Sequence, residues 1–347
     1  MRISVVDPAA YTPPYDRALC AALAAEGLEV ELLTRPFRHG ETPPADPGYA
    51  LREDAFGSSR THPLRMVALG RHARGDVLHF QWLPLQELDQ LLLPRGRPTV
   101  LTAHDVLPRE PRRFQAAAQR RLYDRVDAVV AHTEHSRARL EALGVPPAKL
   151  HRIPHGAFTQ PASVAPQRPT ELPEPGQRPV ALFFGLLRPY KGLDVLLEAW
   201  RGLQADFELW IVGAPRMALP PLPPGVRLVP RFVTEAEAAW CFIRADVVVL
   251  PYREIEGSGV LFTALGFAKA TLVSDVGGFS ELGDAVARVP PGDPSMLQAS
   301  LAGLLGAPGA RRALERGAAE AAATTFAWGP IARTHRALYE RIAGATG

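Results

Sequence analysis

The stretch Val247 to Leu250 reads "VVVL", four apolar residues with nothing polar between them. No other feature constrains the fold as much. A strand with one face in water alternates polar with apolar residues, whereas an unbroken apolar run is what a parallel sheet covered by helices on both faces requires. Similar runs return along the chain, spaced by segments of helical period. "ISVVD" leads into "YDRALCAALAAEGL", and after a glycine stop comes "VELLT", which together predict a βαβ opening. Strands are expected again at "DVLHFQW", "PTVLTAHDV", "DAVVAHT" and "LHRIPHG", with helices at "PRRFQAAAQRRLYDRV" and "HSRARLEALG". A second series runs through "VALFFG", "GLDVLLEAWRGL", "FELWIVG", "VRLVPRFV", "TEAEAAWCFIRA", "DVVVLPY", "GSGVLFTALGFA" and "ATLVSD".

Between the two series, "AFTQPASVAPQRPTELPEPGQRP" is dense in proline and has no period, as an interdomain linker would be. The expected organisation is an N-terminal Rossmann-like domain over 1–160, a linker over 161–178, a second domain over 179–326 and a terminal helix within 327–347. That helix carries Trp328, Ile331, Leu338 and Ile342 on one stripe and must bury it, across the domain boundary if nowhere nearer. The fold class is therefore α/β, with two doubly wound parallel-sheet domains facing a central cleft. Ligands of such sheets bind at the carboxyl ends of the strands.

The remaining bulk properties exclude more than they assign. At 347 residues, with 47 % apolar and 22 % charged side chains, the chain suits a two-domain globular enzyme. A net charge of +3 gives no reason to expect nucleic acid. Cys20 and Cys241 are too few and too far apart in sequence for a disulfide framework or a zinc site. The amino terminus lacks the apolar region of a secretory signal, and no apolar stretch reaches the ~18 residues a membrane span needs. A cytoplasmic protein is expected.

Two turns carry candidate chemistry. In "GLLRPYKGLD", Arg188 and Lys191 follow a strand end at Gly185 and precede a helix. Cations in that position suit a polyanion, Arg as a fork for phosphate oxygens and Lys as a compact charge. The alternative is a pair of solvated loop cations. In "EGSGV", a second strand passes through Glu256, Gly257, Ser258, Gly259 and Val260 into a helix, whose first N–H groups would hold phosphate where glycine lets it approach. The alternative here is that the glycines only permit tight packing and Ser258 only caps the helix. Two such turns in one half of the chain point to a diphosphate.

With these segments the chain resembles the retaining GT-B glycosyltransferases of family 4, the glycosyl transferases group 1 proteins. The likeness is carried by "FFGLLRPYKGLDVLLEA", "EGSGV" and "VSDVGGFSEL", with "TAHDVLP", "IPHGAF" and "FAWGPIARTHRALYERI" as further matching segments. The resemblance implies transfer of a sugar from a nucleotide-diphosphate donor to a hydroxyl acceptor. It gives Arg188 and Lys191 the donor diphosphate, Glu256 the hydroxyls of the donor sugar, and the amides of Ser258, Gly259 and Val260 a phosphate. His104 falls where the family has a histidine close to that sugar; the plainer reading is a satisfied core histidine beside a turn-forming Asp105. Three departures stand out. Ala264 occupies the position of the family's second glutamate, which holds the nucleotide ribose, Leu186 follows the strand-end glycine where an arginine is common, and "PAAYTPPYD" replaces a glycine-rich loop after the first strand.

No Asp-any-Asp triplet occurs, so a metal-bridged diphosphate has no obvious ligands; neither a metal nor another cofactor is expected. Retention with front-face attack is the expected course, since no carboxylate is placed as a nucleophile. The acceptor is not named by any segment. Six arginines between Arg109 and Arg125, against Glu110 and Asp124, suggest a peripheral contact with the inner face of a membrane, the alternative being a solvated basic helix. A dinucleotide oxidoreductase is disfavoured by the missing Gly-any-Gly-any-any-Gly after the first strand. A GT-B sugar-nucleotide epimerase and a non-catalytic sugar-nucleotide-binding scaffold remain as alternatives.

Overall fold

The computed structural model describes residues 1–37, 46–57, 60–158, 165–174, 176–203 and 206–344. They form two compact units, Met1–Gly156 together with Ala327–Gly347, and Ala157–Phe326.

In the first unit the strands are β1 (Arg2–Val6), β2 (Glu29–Leu33), β3 (Ala50–Arg52), β4 (Val77–Phe80), β5 (Thr99–Thr102), β6 (Ala128–Ala131) and β7 (Leu150–Arg152). All pair in parallel in the order β3-β2-β1-β4-β5-β6-β7. Helices α1 (Pro13–Ala25), α2 (His62–His72), α3 (Gln86–Leu92), α4 (Gln115–Arg125) and α5 (Glu134–Ala142) join them. Every residue of β4, β5 and β6 is buried, which is the burial on both faces that the unbroken apolar runs demand. The C-terminal helix, Trp328–Gly344, completes this unit by burying Ile331, Ala332, His335, Leu338 and Tyr339. Of the expected stripe, Ile331 and Leu338 are buried, while Trp328 and Ile342 stay half-buried at the helix ends.

The second unit repeats the plan with β8 (Val180–Phe184), β9 (Glu208–Val212), β10 (Val226–Val229), β11 (Val247–Leu250), β12 (Ala270–Ser274) and β13 (Ala287–Val289), parallel in the order β10-β9-β8-β11-β12-β13. Its helices are α6 (Leu193–Trp200), α7 (Glu235–Arg244), α8 (Gly259–Gly266), α9 (Pro294–Gly306) and α10 (Pro308–Ala323). Trp200 and Trp210 are fully buried in its core. A capping box starts α7, where Thr234 and Glu237 satisfy each other's backbone N–H groups.

Residues 161–164 and 175 of the expected linker lie outside the described residues. The rest of that stretch is docked on the second unit. Leu172 is 1 % exposed, the Gln167 N–H donates to the Ala236 carbonyl at 3.0 Å, and Glu171 pairs with Arg231 at 2.6 Å. Proline supplies no N–H and fixes φ, so the segment docks through side chains and a few loop bonds rather than through a ladder. No helix among the described residues is long and apolar enough to cross a membrane.

In each sheet the strand order turns back beside the unit's first strand, between β1 and β4 and between β8 and β11. The crevice outside the carboxyl ends of such strands is the preferred ligand position of this architecture.

Candidate functional site

In the second unit, two loops meet at that switch point. The first leaves β8 at Gly185, whose φ of +95° only glycine adopts without strain. It is tied to the end of β9 by Gly185 N–H to Val212 O at 2.9 Å and Leu187 N–H to Ala214 O at 3.0 Å. Arg188, half-buried, precedes a 3-10 turn over Pro189–Lys191, and Gly192 at φ +68° opens α6. A Cβ on Gly192 would lie 2.0 Å from the Pro251 carbonyl, so glycine there lets this loop pack against the loop that follows β11. Two further bonds hold the pair of loops together, Arg253 N–H to Tyr190 O at 2.8 Å and the Arg253 guanidinium to Pro189 O at 3.0 Å, with Asp194 bound bidentately to the same guanidinium.

The second loop runs from Pro251 to Ser258 and delivers the chain into α8. Ser258 caps that helix, its hydroxyl accepting from the Leu261 N–H at 3.4 Å. Glu256 and Ser258 are buried, Gly257 and Val260 are half-buried and Gly259 is exposed, so the first turn of α8 opens outward at its glycine. Lys191 is also buried, at 6 % exposure, with its Nζ 5.3 Å from the centre of the Tyr252 ring. Gly185 is where the two loops converge. A Cβ built on it would lie 3.0 Å from Lys191 Nζ and 3.0 Å from Val260 Cγ2. The bare glycine thus lies close to an ammonium and to a side chain of the first turn of α8, and an ammonium and a helix amino terminus both stabilise an anion.

The other family-like residues of this unit fall nearby or are silent. Phe279, in the 3-10 turn Gly277–Glu281, is buried against Tyr252 with ring centres 5.5 Å apart. Ala264 is fully buried in α8, so the helix offers no carboxylate there, and Leu186 is half-buried beside Gly185.

His104 belongs to the first unit, after the end of β5. Its Nε2 and Gln81 Oε1 are 3.1 Å apart, and its ring stacks on Trp82 at 4.9 Å and meets Tyr15 edge-on at 4.8 Å. Around it lie residues that the sequence reading passes over. His132 and His155 follow β6 and β7; the His132 ring lies 5.1 Å from His104 and 5.2 Å from His155, and Tyr15 contacts all three imidazoles. Burial holds all three well below the ordinary histidine value, to about 4 for His132, and mutual repulsion pushes His104 and His155 the same way. The cluster is neutral near pH 7. Nε2 of His132 and Nε2 of Gln81 are buried and make no hydrogen bond. The signal that could have found these residues is positional, a polar aromatic just past each of three consecutive strand ends.

After β1, the loop that stands in place of a glycine-rich turn is organised by the buried Asp7, which accepts from the N–H groups of Ala9 at 3.0 Å and Tyr11 at 2.8 Å. Burial raises the pKa of Asp7 and raises that of its neighbour Asp16 further, so this pair retains a proton. Asp105 pairs with Arg109 at 3.1 Å. The basic stretch is also less helical than expected. Arg109, Arg112 and Arg113 lie ahead of α4, which starts at Gln115 after Phe114 adopts a left-handed φ of 68°. No group of three or more His, Cys, Asp or Glu side chains among the described residues is placed to hold a metal ion. Cys20 and Cys241 are buried and free.

Comparison with known proteins covers both units. Residues 17–160 match the family model Glycosyltransferase Family 4, and residues 178–307 match Glycosyl transferases group 1. A GDP-mannose:glycolipid 4-beta-D-mannosyltransferase of Xanthomonas campestris pv. campestris is 30 % identical over 263 residues, 67 % of this chain and 69 % of that one. A D-inositol 3-phosphate glycosyltransferase of Acidothermus cellulolyticus is 26 % identical over 395 residues, 96 % of this chain and 87 % of that one. Among solved structures, a sucrose-phosphate synthase from Thermosynechococcus elongatus superposes with a TM-score of 0.78 at 18 % identity, covering 99 % of this chain and all of that one.

Proposed function

The chain belongs to the family 4, group 1 glycosyltransferases of the GT-B fold, and we propose that its second unit binds the diphosphate of the nucleotide-sugar donor at Gly185. The observation that carries this reading is the convergence on Gly185 of Lys191 Nζ and of the Val260 side chain at the first turn of α8, each 3.0 Å from the place a Cβ would take. Lys191 then neutralises the diphosphate at its buried end, and Arg188 does so from the half-buried rim. The amides of Ser258, Gly259 and Val260 add the helix terminus, with Gly257 leaving room for approach. Glu256 accepts hydroxyls of the transferred sugar. His104 of the first unit is assigned, as a neutral imidazole, to sugar hydroxyls.

The bond from the anomeric carbon to the phosphate oxygen breaks through an oxocarbenium-like transition state, and the electron pair leaves with the diphosphate. Groups fixed where that charge develops are worth ~3 to 4 kcal/mol each. The acceptor hydroxyl forms the new bond on the face the diphosphate leaves, and its proton passes to a phosphate oxygen, which retains the anomeric configuration. On this reading the reaction proceeds without metal, Lys191 and Arg188 meeting the charge of the diphosphate. The relatives named for GDP-mannose and for inositol phosphate suggest a hexosyl donor and a hydroxyl acceptor that is a glycan, a lipid-linked sugar or a small molecule. With Ala264 in α8, the ribose is held by something other than the family's glutamate. The Arg109–Arg125 stretch meets the inner face of a membrane.

Thermal melts with GDP-mannose and with UDP-, ADP- and dTDP-sugars test the donor site. A ligand present at 100 times its dissociation constant adds ~2.7 kcal/mol of stability. A shift that survives in Lys191→Ala would sink the assignment. NMR of the product decides retention, an inverted anomer overturning it; activity lost in EDTA and restored by magnesium or manganese would overturn metal independence.

A further inference from the structure

We infer that the face built by α2, α3 and the start of α4 is a docking surface for an anionic lipid bilayer. The inference rests on the membrane-facing reading of Arg109–Arg125 and extends it to two helices outside that stretch.

Leu64 and Val67 of α2 are 73 % and 63 % exposed, Leu88 and Leu91 of α3 are 44 % and 67 % exposed, and Phe114 is 66 % exposed. These five are half of the ten large apolar side chains that stand exposed among the described residues, and they sit on three helices packed in succession. Their exposure follows from how the helices are anchored. On α2, Met66 and Leu69 enter the core, and His62 bonds the buried Asp89 of α3 at 2.6 Å. Leu64 and Val67, three residues apart, are left on the outer side of α2, and Leu88 and Leu91 likewise on α3. The start of α4 is fixed to α3 by Gln115 Nε2 to Gln86 Oε1 at 2.8 Å and by Arg112 to Glu87 at 3.1 Å.

Phe114 carries the argument further. Its φ of 68° is a conformation that bulky side chains avoid, and it holds the ring in solvent with the Arg113 guanidinium 4.6 Å above it. An aromatic kept exposed at conformational cost, beside four exposed aliphatic side chains, is a surface shaped for a partner.

Charge selects the partner. Residues 60–125 contain twelve arginines and six acids. Four of those acids are already paired, Asp76 with Arg2, Glu87 with Arg112, Asp89 with His62 and Asp105 with Arg109. Arg65, Arg113, Arg120 and Arg121 are exposed on the same three-helix region. Apolar side chains that enter the acyl boundary and arginines that meet lipid phosphates describe an interfacial contact with anionic lipid. A second copy of the chain would bring like charges face to face.

The full chain is to be sedimented with vesicles of phosphatidylcholine alone and of phosphatidylcholine with phosphatidylglycerol, at low and high salt. At least about tenfold more protein should partition to the anionic vesicles, and high salt should reverse this. Leu91→Glu and Phe114→Ser should each lower anionic-vesicle binding about tenfold, whereas Met296→Ser, at an exposed apolar site in the second unit, should not. Both variants should keep the melting shift given by the nucleotide sugar, which separates failure here from failure of the donor site. Equal partition to the two vesicle types, or variants that bind as the unaltered chain does, would overturn the proposal. So would a concentration-dependent dimer dissolved by Leu91→Glu, which would give the face to a second copy.

Discussion

At the carboxyl end of β8 the chain places a bare glycine and a buried lysine; at the corresponding end of β1 it places a buried carboxylate, then Tyr15 against three neutral imidazoles. Both positions are switch points of doubly wound sheets, so the architecture alone offers a ligand crevice at each. The side chains decide what each can hold. The second unit's edge, with Lys191, Arg188 and the amides of α8, is made for negative charge. The first unit's cluster has had its charge removed by burial, and it suits a neutral, hydroxyl-bearing molecule or none. The same fold thus carries two electrostatic settings, a cationic one suited to a developing negative charge and a neutral one.

Acid should break the symmetry of stability first. Burial holds the folded pKa of His79, His104, His132, His155 and His335 below the unfolded value, so their contribution is present above about pH 6.5 and is lost as pH falls toward the folded value. For His132 and His335, both lowered from 6.5 to about 4, the loss is about 3 kcal/mol each over that window. Asp7 and Asp16, raised by burial, act in the opposite sense and offset part of it. The first unit should therefore unfold at higher pH than the second. Hydrogen exchange resolved along the chain from pH 7 to pH 4 checks this; equal acid sensitivity in both units would erase the contrast.

Lys191→Ala should lower turnover by at least about a hundredfold, ~3 kcal/mol in the barrier, with the melting temperature of the unliganded protein little changed. Near-normal turnover would return Lys191 to a structural role over the Tyr252 ring. A smaller effect is expected from Gly192→Ala. The new Cβ meets the Pro251 carbonyl at a positive φ, and the two loops should loosen at a cost of about 1 to 3 kcal/mol, read by chemical denaturation. The smallest change should come from Ser258→Ala, which removes the α8 cap and costs about 1 kcal/mol of stability. If donor binding also fell in that variant, Ser258 would be touching the ligand through more than its amide.

Much of the second unit's candidate site is legible in the sequence. Arg188, Lys191 and Gly192 are adjacent in the chain, as are Glu256 to Val260, and a strand end followed by glycine and a cation has a local physical meaning. The first unit's cluster had no such signature. Tyr15, Trp82, His104, His132 and His155 come from four strand ends and a helix, and each alone reads as an ordinary aromatic or polar residue. Short or weakly apolar elements were also hard to read. β3 and β13 have three residues each, and α10 buries only Ala318 and Ala322, too little to stand out as a stripe.

What the sequence by itself determined is therefore what propagates along the chain: the order of strands and helices, burial of the unbroken apolar runs, and the two glycine turns at strand ends. The tertiary structure decided what depends on segments far apart meeting. It folded the C-terminal helix into the first unit, where Tyr339 lies 2.7 Å from His79, it docked the described part of the proline-rich stretch on the second, and it brought Lys191 to the first turn of α8. The reason is that local pattern fixes which face of an element must be buried, while the partner that buries it is chosen by the packing of the whole sheet.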